Sequence, residues 1–165
     1  MDQKYVKQIN IYEANQQYEE IFELLRKLAE ETPFDGEVYY QWACTYDGMG
    51  KEETAIIYYE KALALGLNGD FLRRAYIHLG SSYRCVGKYE KAKAVLQEGL
   101  LAFPEDEALF TFLAMTEHNL QNHEKAVEIL LQLLIHHTSS PRILDYKRAL
   151  SFYSSHLNDV FLEEK

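Results

Sequence analysis

The sequence contains little proline and little glycine, and these residues are widely spaced. Among its 165 residues, three are proline and eight are glycine. Both residue types interrupt regular structure, so their scarcity favours helices joined by short turns. Apolar residues make up 47% of the chain, well above the fraction found in intrinsically disordered proteins. The length and composition therefore predict a single domain with one continuous core.

Positive charge is also scarce. The chain has 17 lysine and arginine residues against 26 aspartate and glutamate residues, which gives a formal net charge of −9. This balance argues against binding to nucleic acids or to anionic membranes. The beginning of the chain lacks the pattern of a secretory signal peptide, and no apolar run approaches the ~20 residues that span a bilayer. We therefore expect a cytoplasmic protein without a nucleic-acid or membrane partner.

Residues that would indicate chemistry are few and scattered. The sequence has no glycine-rich phosphate loop, no Gly-x-Ser-x-Gly elbow and no His-Glu-x-x-His motif. Two cysteines, Cys44 and Cys85, are expected to be free thiols. His118 and His123 are separated by a predicted turn and are not expected to share a face, and the acidic pairs are expected on solvated faces. We expect no metal ion, no other cofactor and no enzymatic activity.

The clearest pattern lies between Arg73 and Pro104. Its first half places apolar and small residues at helical spacing, at Tyr76, Leu79, Gly80 and Tyr83. Its second half carries another helical stripe, formed by Ala92, Leu96, Gly99 and Leu100. Gly87 separates the halves and predicts a tight turn. The glycines of the two stripes are expected where a larger side chain would hold the two helix backbones apart.

The same pattern recurs on both sides of this stretch. It returns 37 residues earlier at Tyr39, Trp42, Ala43 and Tyr46, and 34 residues later at Phe110, Leu113 and Ala114. A self-match with a period of about 34 residues is typical of a helical repeat array. The central copy resembles the tetratricopeptide repeat family, whose pattern is nearly complete at Tyr76, Leu79, Gly80, Tyr83, Gly87, Ala92, Leu96, Gly99 and Pro104. The chain thus resembles a small, single-domain, bacterial-type member of that family.

The resemblance covers most of the chain and implies an all-α fold. That fold is a right-handed solenoid of antiparallel helix pairs with terminal capping helices. The expected segments of the single domain are a degenerate N-terminal repeat or cap, three repeats and a C-terminal capping helix, over residues 2–35, 36–72, 73–106, 107–140 and 141–165. The capping helix is expected to place one apolar face on the array, formed by Ile143, Tyr146, Leu150, Tyr153 and Leu157.

Two turns inside repeats and one connection between repeats depart from the regular pattern. Gln16 replaces the turn glycine of the first repeat, so its helices are expected to merge or to meet at a looser turn. Three additional residues precede the central repeat and are expected to lengthen a loop or a helix start, with Asp70 as N-cap. In the last repeat Asn122 is expected to take the left-handed conformation in place of glycine.

In this family the first helix of each pair lines a concave groove that generally binds a peptide. Each such helix of this chain carries a second stripe besides its buried one. From these stripes we predict a peptide-binding groove formed by Tyr40, Cys44, Asp47, Arg74, Ile77, Ser81, Arg84, Thr111, Met115 and His118. The corresponding stripe of the N-terminal repeat consists of Gln3, Val6, Asn10 and Glu13.

The two arginines of this groove allow two interpretations. In the first, Arg74 and Arg84 hold an acidic group of the bound segment, since a guanidinium grips a carboxylate through two hydrogen bonds. In the second, both pair with acids of the chain itself, such as Glu37 or Asp47. In the first interpretation, apolar contacts near Tyr40, Ile77 and Met115 are expected to complete the binding of the segment.

The predicted function is that of a non-enzymatic protein–protein interaction module, such as an adaptor or scaffold. Its partner is expected to be a protein or peptide held in the concave groove. The alternative is a self-associating structural or assembly subunit, for example a homodimer, that pairs through the same face or through its end helices.

Overall fold

A computed structural model describes residues 1–162 of the chain. Within this range the chain forms ten α-helices and no strand. In chain order they are α1 (Gln3–Ala14), α2 (Tyr18–Glu31), α3 (Gly36–Gly48), α4 (Glu52–Leu65), α5 (Gly69–Cys85), α6 (Tyr89–Ala102), α7 (Glu107–Asn119), α8 (His123–His137), α9 (Pro141–Leu144) and α10 (Lys147–Tyr153).

The first eight helices pack as four successive pairs. Each of α1, α3, α5 and α7 packs against the helix that follows it, and each pair packs against the next. Because the connections within pairs are short, the two helices of a pair run antiparallel. The first helices also touch across pairs, α3 with α5 and α5 with α7. The predicted all-α solenoid of helix pairs is confirmed.

Small residues allow the close helix contacts of the central repeat. A Cβ atom added to Gly80 of α5 would lie 2.6 Å from Cγ of Leu96 in α6. One added to Gly99 would lie 2.9 Å from Cβ of Tyr76. Real Cβ atoms do not approach other atoms this closely, so any larger residue here would push the helices apart. The expected role of these glycines is confirmed.

The turn inside each pair contains one residue in the left-handed region. Gly50 and Gly87 take it at φ 69° and 75° in the second and third pairs. In the first and fourth pairs Gln16 and Gln121 adopt it, at φ 57° and 66°. The expectation for Asn122 was therefore wrong, because its neighbour Gln121 occupies the position that corresponds to the turn glycines, and Asn122 is the N-cap of α8 with φ −85°.

The three additional residues before the central repeat lengthen a helix. Helix α5 has 17 residues, whereas α3 and α7 have 13 each. Its N-cap is Asn68, so the expectation that Asp70 caps the helix was wrong. Asp70 lies inside the added first turn, where its carboxylate accepts hydrogen bonds from Nε and Nη2 of Arg73.

The C-terminal segment differs from the single helix that the sequence pattern predicts. It forms two short helices, α9 and α10, and the end of the predicted helix at residues 163–165 lies outside the described residues. Tyr146 and Tyr153 of the expected apolar face are 66% and 50% exposed. Instead the buried Ser154 attaches this segment to α8, because Nε2 of Gln132 donates a 2.5 Å hydrogen bond to its hydroxyl. The predicted burial of one apolar face was therefore wrong.

Candidate peptide-binding surface

A cavity of about 550 Å³ lies where the first helices α1, α3 and α5 face one another. We call it the N-terminal pocket. Residues of four helices line it. They are Gln3, Val6, Asn10 and Glu13 of α1, Tyr40, Gln41, Cys44, Asp47 and Gly48 of α3, Asp70, Phe71, Arg74 and His78 of α5, and Tyr59 of α4.

The floor of the N-terminal pocket is a connected group of polar side chains. The hydroxyl of Tyr59 donates to Oδ2 of Asp47 at 3.2 Å and lies 3.2 Å from Nδ1 of His78. The Tyr40 hydroxyl lies 3.3 Å from the same nitrogen, and Sγ of Cys44 lies 3.7 Å from it. The rings of Tyr40 and His78 also stack, with an interplanar angle of 18°. These contacts hold the floor in one arrangement.

Burial keeps the floor uncharged except at Asp47. It lowers the pKa of His78 to about 4, with the nearby cations of Arg74 and Arg73 as further causes. It raises the pKa of the Cys44 thiol. Near neutral pH the two side chains are therefore a thiol and a neutral imidazole, not the thiolate–imidazolium pair of a cysteine nucleophile. Burial also raises the pKa of Asp47, against the hydrogen bonds from Tyr59 and Ser82.

Two carboxylates stand at one end of the N-terminal pocket. Oε1 of Glu13 lies 3.4 Å from the point that a Cβ atom on Gly48 would occupy, so it is next to the last turn of α3, which contains Asp47. Neither Glu13 nor Asp47 forms an ion pair within residues 1–162. Arg74 lies 4.0 Å from Asp70. This end of the pocket is therefore negatively charged.

A second cavity of about 580 Å³ follows along the solenoid, between α5, α7 and α8. We call it the C-terminal pocket. Its lining is mostly apolar and consists of Arg84, Ala114, Met115, His118, Asn119, His123, Ala126, Val127 and Leu130. The Nδ1 atoms of His118 and His123 are 3.1 Å apart. The expectation that these two histidines do not share a face was wrong, because the short turn between α7 and α8 brings the helix ends together.

The predicted groove residues divide between the two pockets. Tyr40, Cys44, Asp47 and Arg74 line the N-terminal pocket, and Arg84, Met115 and His118 line the C-terminal pocket. The remaining three, Ile77, Ser81 and Thr111, line neither.

Ile77 was expected on the open face of α5 but is only 7% exposed, because it packs into a core cluster with Leu109 and Leu113 of α7. Ser81 is half-buried. Thr111 is half-buried too, and its hydroxyl donates to the backbone oxygen of Glu107 at 2.7 Å. Apolar contacts near Ile77 are therefore not available to a bound segment.

Both interpretations of the arginines need correction. Arg74 and Arg84 are ten positions apart in α5, which corresponds to about 15 Å along the helix. A single carboxylate cannot contact both. Nor do they pair with Glu37 or Asp47, since the carboxylate nearest to Arg74 belongs to Asp70 and Arg84 forms no ion pair with the described residues.

Several lining residues were not predicted from the sequence. Phe71 and His78 lie three residues before and four residues after Arg74, so they complete a stripe that includes the added turn of α5. Starting the stripe at the true beginning of α5 would have found both. Gln41 and Tyr59 carry no such signal, because Gln41 belongs to neither predicted stripe of α3 and Tyr59 lies in α4, the second helix of its pair.

The described residues limit the chemistry that this surface supports. No three His, Cys, Asp or Glu side chains among residues 1–162 are grouped so that they could hold a metal ion. Within the same range, none of the helices has the length and apolarity that crossing a bilayer requires.

Comparison with known proteins identifies the family. Two of the solved structures with a similar fold are of MamA. The first, "MamA RS-1 ArsTM double mutant", has a TM-score of 0.69 and 21% identity, and the match covers 94% of this chain and 84% of that one. The second, "MamA 41-end from Desulfovibrio magneticus RS-1", has a TM-score of 0.69 and 18% identity, with coverages of 92% and 88%.

No curated protein sequence matches the chain. One sequence profile does match, and it is that of the family described as "Tetratrico peptide repeat", over residues 36–157. This match covers more than half of the chain and includes the second, third and fourth helix pairs of the structure. The chain belongs to the tetratricopeptide repeat family.

Proposed function

We propose that this protein is a non-enzymatic interaction module that binds an extended segment of a protein partner along its first helices. The observation that carries the proposal is the pair of pockets that follow one another on this surface. The N-terminal pocket is lined by α1, α3 and α5, and the C-terminal pocket by α5, α7 and α8. Two adjacent cavities of this size suit successive side chains of one segment.

The composition of the two pockets supports a peptide rather than a small reactive substrate. The surface has polar groups such as Glu13 and Asn10 at one end and apolar groups such as Met115 and Val127 at the other. Met115 and Val127 are 39% and 42% exposed, and apolar side chains of a partner would remove this surface from water. Such a surface is suited to an adaptor or scaffold.

Selection from a displayed library of random twelve-residue peptides tests the proposal. Peptides should be enriched on the wild-type protein, and their affinity should fall at least tenfold for Asn10→Trp. Asn10 is exposed on α1 and lines the N-terminal pocket, so an indole there fills the cavity without removing a core contact.

Gln97→Trp is the matched control for this experiment. Gln97 is exposed on α6 and lines neither pocket, so the same change of side chain should leave the affinity unaltered. Equal affinity of the selected peptides for both variants would show that they bind elsewhere and would contradict the proposal.

A second candidate function is self-association through α8. Leu130 is 46% exposed, whereas its repeat counterpart Leu96, 34 residues earlier, is fully buried beside Leu109 of the following helix. Within residues 1–162 no first helix takes the corresponding place after α8, since α10 packs near Gln132 on another side. A strip of apolar side chains therefore stays open, formed by Met115, Val127, Leu130 and Leu134. A helix of a second copy of the chain would cover it.

Light scattering across a concentration series tests this candidate. The mass should rise above the 19.3 kDa of one chain as the concentration increases, and Leu130→Lys should return it to one chain. Leu101→Lys is the control, because Leu101 is 87% exposed and lies away from the strip. A constant mass of one chain in all samples would contradict self-association.

A further inference from the structure

The last turns of the four first helices carry charges of changing sign. Equivalent positions in the repeats hold Glu13 in α1, Asp47 in α3, Arg84 in α5 and His118 in α7. The last turns of α1 and α3 contain no basic residue, whereas those of α5 and α7 each contain one. The end of a helix has a partial negative charge and favours cations. Carboxylates at the ends of α1 and α3 are therefore unfavourable unless a cation lies beside them.

No such cation is present among residues 1–162. Glu13 lies beside Gly48, the residue that follows Asp47, and neither Glu13 nor Asp47 forms an ion pair there. Arg74 lines the same pocket, but the carboxylate closest to it is that of Asp70, which Arg73 also binds at 2.7 Å. The negative charge at this end of the N-terminal pocket is therefore uncompensated.

A second feature of the N-terminal pocket also points to a ligand. Gln41 is 7% exposed and lines the pocket, yet its side-chain amide makes no hydrogen bond with any described residue. The amide oxygen and nitrogen of Gln41 are therefore available to a polar group that enters the cavity. An ammonium or guanidinium group beside Glu13 and Asp47 would lie in the same cavity as this amide.

The C-terminal pocket has the opposite charge. Nε of Arg84 is buried and has no hydrogen-bond acceptor within the described residues, and no carboxylate there pairs with the guanidinium. Met115 and Val127 line the same pocket. A carboxylate bound to Arg84 would therefore be partly shielded from water by apolar neighbours, which strengthens the ion pair.

We propose that the segment bound on this surface carries a lysine or arginine at one end and an aspartate or glutamate at the other. This inference rests on the proposed function. The basic side chain lies between Glu13 and Asp47, and the acidic side chain lies against Arg84. Two helix spacings separate α1 from α5, or about 16–20 Å. An extended chain covers that distance in about five or six residues, so the two charges are that far apart in the partner.

Selection from four displayed peptide libraries on the full chain tests the inference. Each has two fixed residues six positions apart among random ones, and the fixed pairs are Lys–Glu, Glu–Lys, Lys–Lys and Glu–Glu. One of the two mixed libraries should be enriched over both libraries of like charge. Both mixed orders are included because the direction of the bound segment is not assumed.

A charge exchange then identifies the contact. Glu13 is exposed, so Glu13→Lys should keep the fold, and it should weaken binding of a selected peptide by about tenfold. Replacing the lysine of that peptide by glutamate should restore affinity for the variant, which a merely structural role of Glu13 would not produce. Gln97→Lys on the exposed side of α6 is the control for a general change of charge.

The outcomes separate this inference from the proposed function. Equal enrichment of all four libraries, or failure of the exchanged peptide to bind Glu13→Lys, would overturn the charge pattern while peptide binding itself still stood. Enrichment of no library above an uncoated surface would overturn both. Enrichment of a mixed library with restored binding after the exchange would support both.

Discussion

The hydroxyl oxygen of Tyr59 lies 3.2 Å from Nδ1 of His78, inside the floor of the N-terminal pocket. The pKa of His78 is lowered to about 4 by burial and by the neighbouring Arg74 and Arg73. In the unfolded chain this ring binds a proton near pH 6.5. Between these two values the unfolded state binds the proton and the folded state does not. The free energy of unfolding should therefore fall as the pH is lowered from about 6.5 to 4, by about 3 kcal/mol at the lower end.

The His78→Asn variant tests this pH dependence. Near pH 7 it should be less stable than the wild type, because it loses the stacking on Tyr40 and the contact with Tyr59. This difference should shrink by about 3 kcal/mol between pH 7 and pH 4, since the variant has no imidazole to protonate. Urea unfolding at several pH values measures it. A difference that stays constant over this range would contradict the argument.

Glu117 is a buried carboxylate whose negative charge is stabilised by one lysine, Lys93. It is 4% exposed, and its carboxylate accepts hydrogen bonds from Nζ of Lys93 at 2.9 Å and from Asn122 at 2.7 Å. Burial by itself would raise the pKa of Glu117, but these two partners lower it below its ordinary value. The pair therefore stabilises the fold above the ordinary pKa, and this contribution is lost as the pH falls through the lowered value.

Lys93→Met should destabilise the protein by about 3 kcal/mol at neutral pH, because it leaves a buried charge without its partner. Lys91→Met is the matched control on the same helix. Because Lys91 is exposed, this substitution should lower the free energy of unfolding by less than about 1 kcal/mol. Thermal or urea unfolding gives both values. The double variant Glu117→Tyr with Lys93→Met should recover most of the loss, since tyrosine is the residue of the central repeat at this position.

Gln121 holds a backbone conformation that suits glycine. Its φ is 66°, and Gly87 at the corresponding turn of the preceding pair has φ 75°. The left-handed region costs a residue with a side chain about 1 kcal/mol. We therefore expect Gln121→Gly to raise the free energy of unfolding by roughly 0.5–1 kcal/mol. Gly87→Ala should lower it by a similar amount, and an unchanged stability of both variants would contradict this reading of the turns.

The contact between Gly80 and Leu96 sets the distance between α5 and α6. Gly80→Ala should destabilise the protein by about 2 kcal/mol, because the new methyl group would lie 2.6 Å from Cγ of Leu96. Leu96→Val in addition should recover part of the loss, as it shortens the side chain that is struck. Ser81→Ala is the control for a change at the neighbouring position. Chemical unfolding measures all three variants, and a loss that Leu96→Val does not reduce would locate the strain elsewhere.

The repeat pattern predicted the helix pairs because it records how they pack. Gly80 and Gly99 occur where two helices meet, and the spacing of Gly80 from Tyr76 and Tyr83 is that of one face of α5. Packing of this kind depends on neighbours that are close in sequence. It can therefore be read from one chain and its internal copies.

The candidate site was harder to predict because it depends on where helices begin and on which first helices touch. Ile77 occupies the same repeat position as Tyr40, and both are buried, but Tyr40 lines the N-terminal pocket whereas Ile77 packs against α7. The pocket stripe of α5 includes Phe71, which lies in the added turn that repeat alignment treats as an insertion. The C-terminal segment was mispredicted for a similar reason, since a hydrogen bond from Gln132 to Ser154, and not the apolar pattern, attaches it to α8.

The added turn at the start of α5 belongs both to the N-terminal pocket and to the core. Asp70 and Phe71 of this turn line the pocket, and the ring of Phe71 also packs edge-on against Tyr40 of α3. Residues gained or lost at this boundary would thus alter the shape and charge of the cavity together with part of the packing between α3 and α5. Partner preference and local stability are therefore expected to change together at this position.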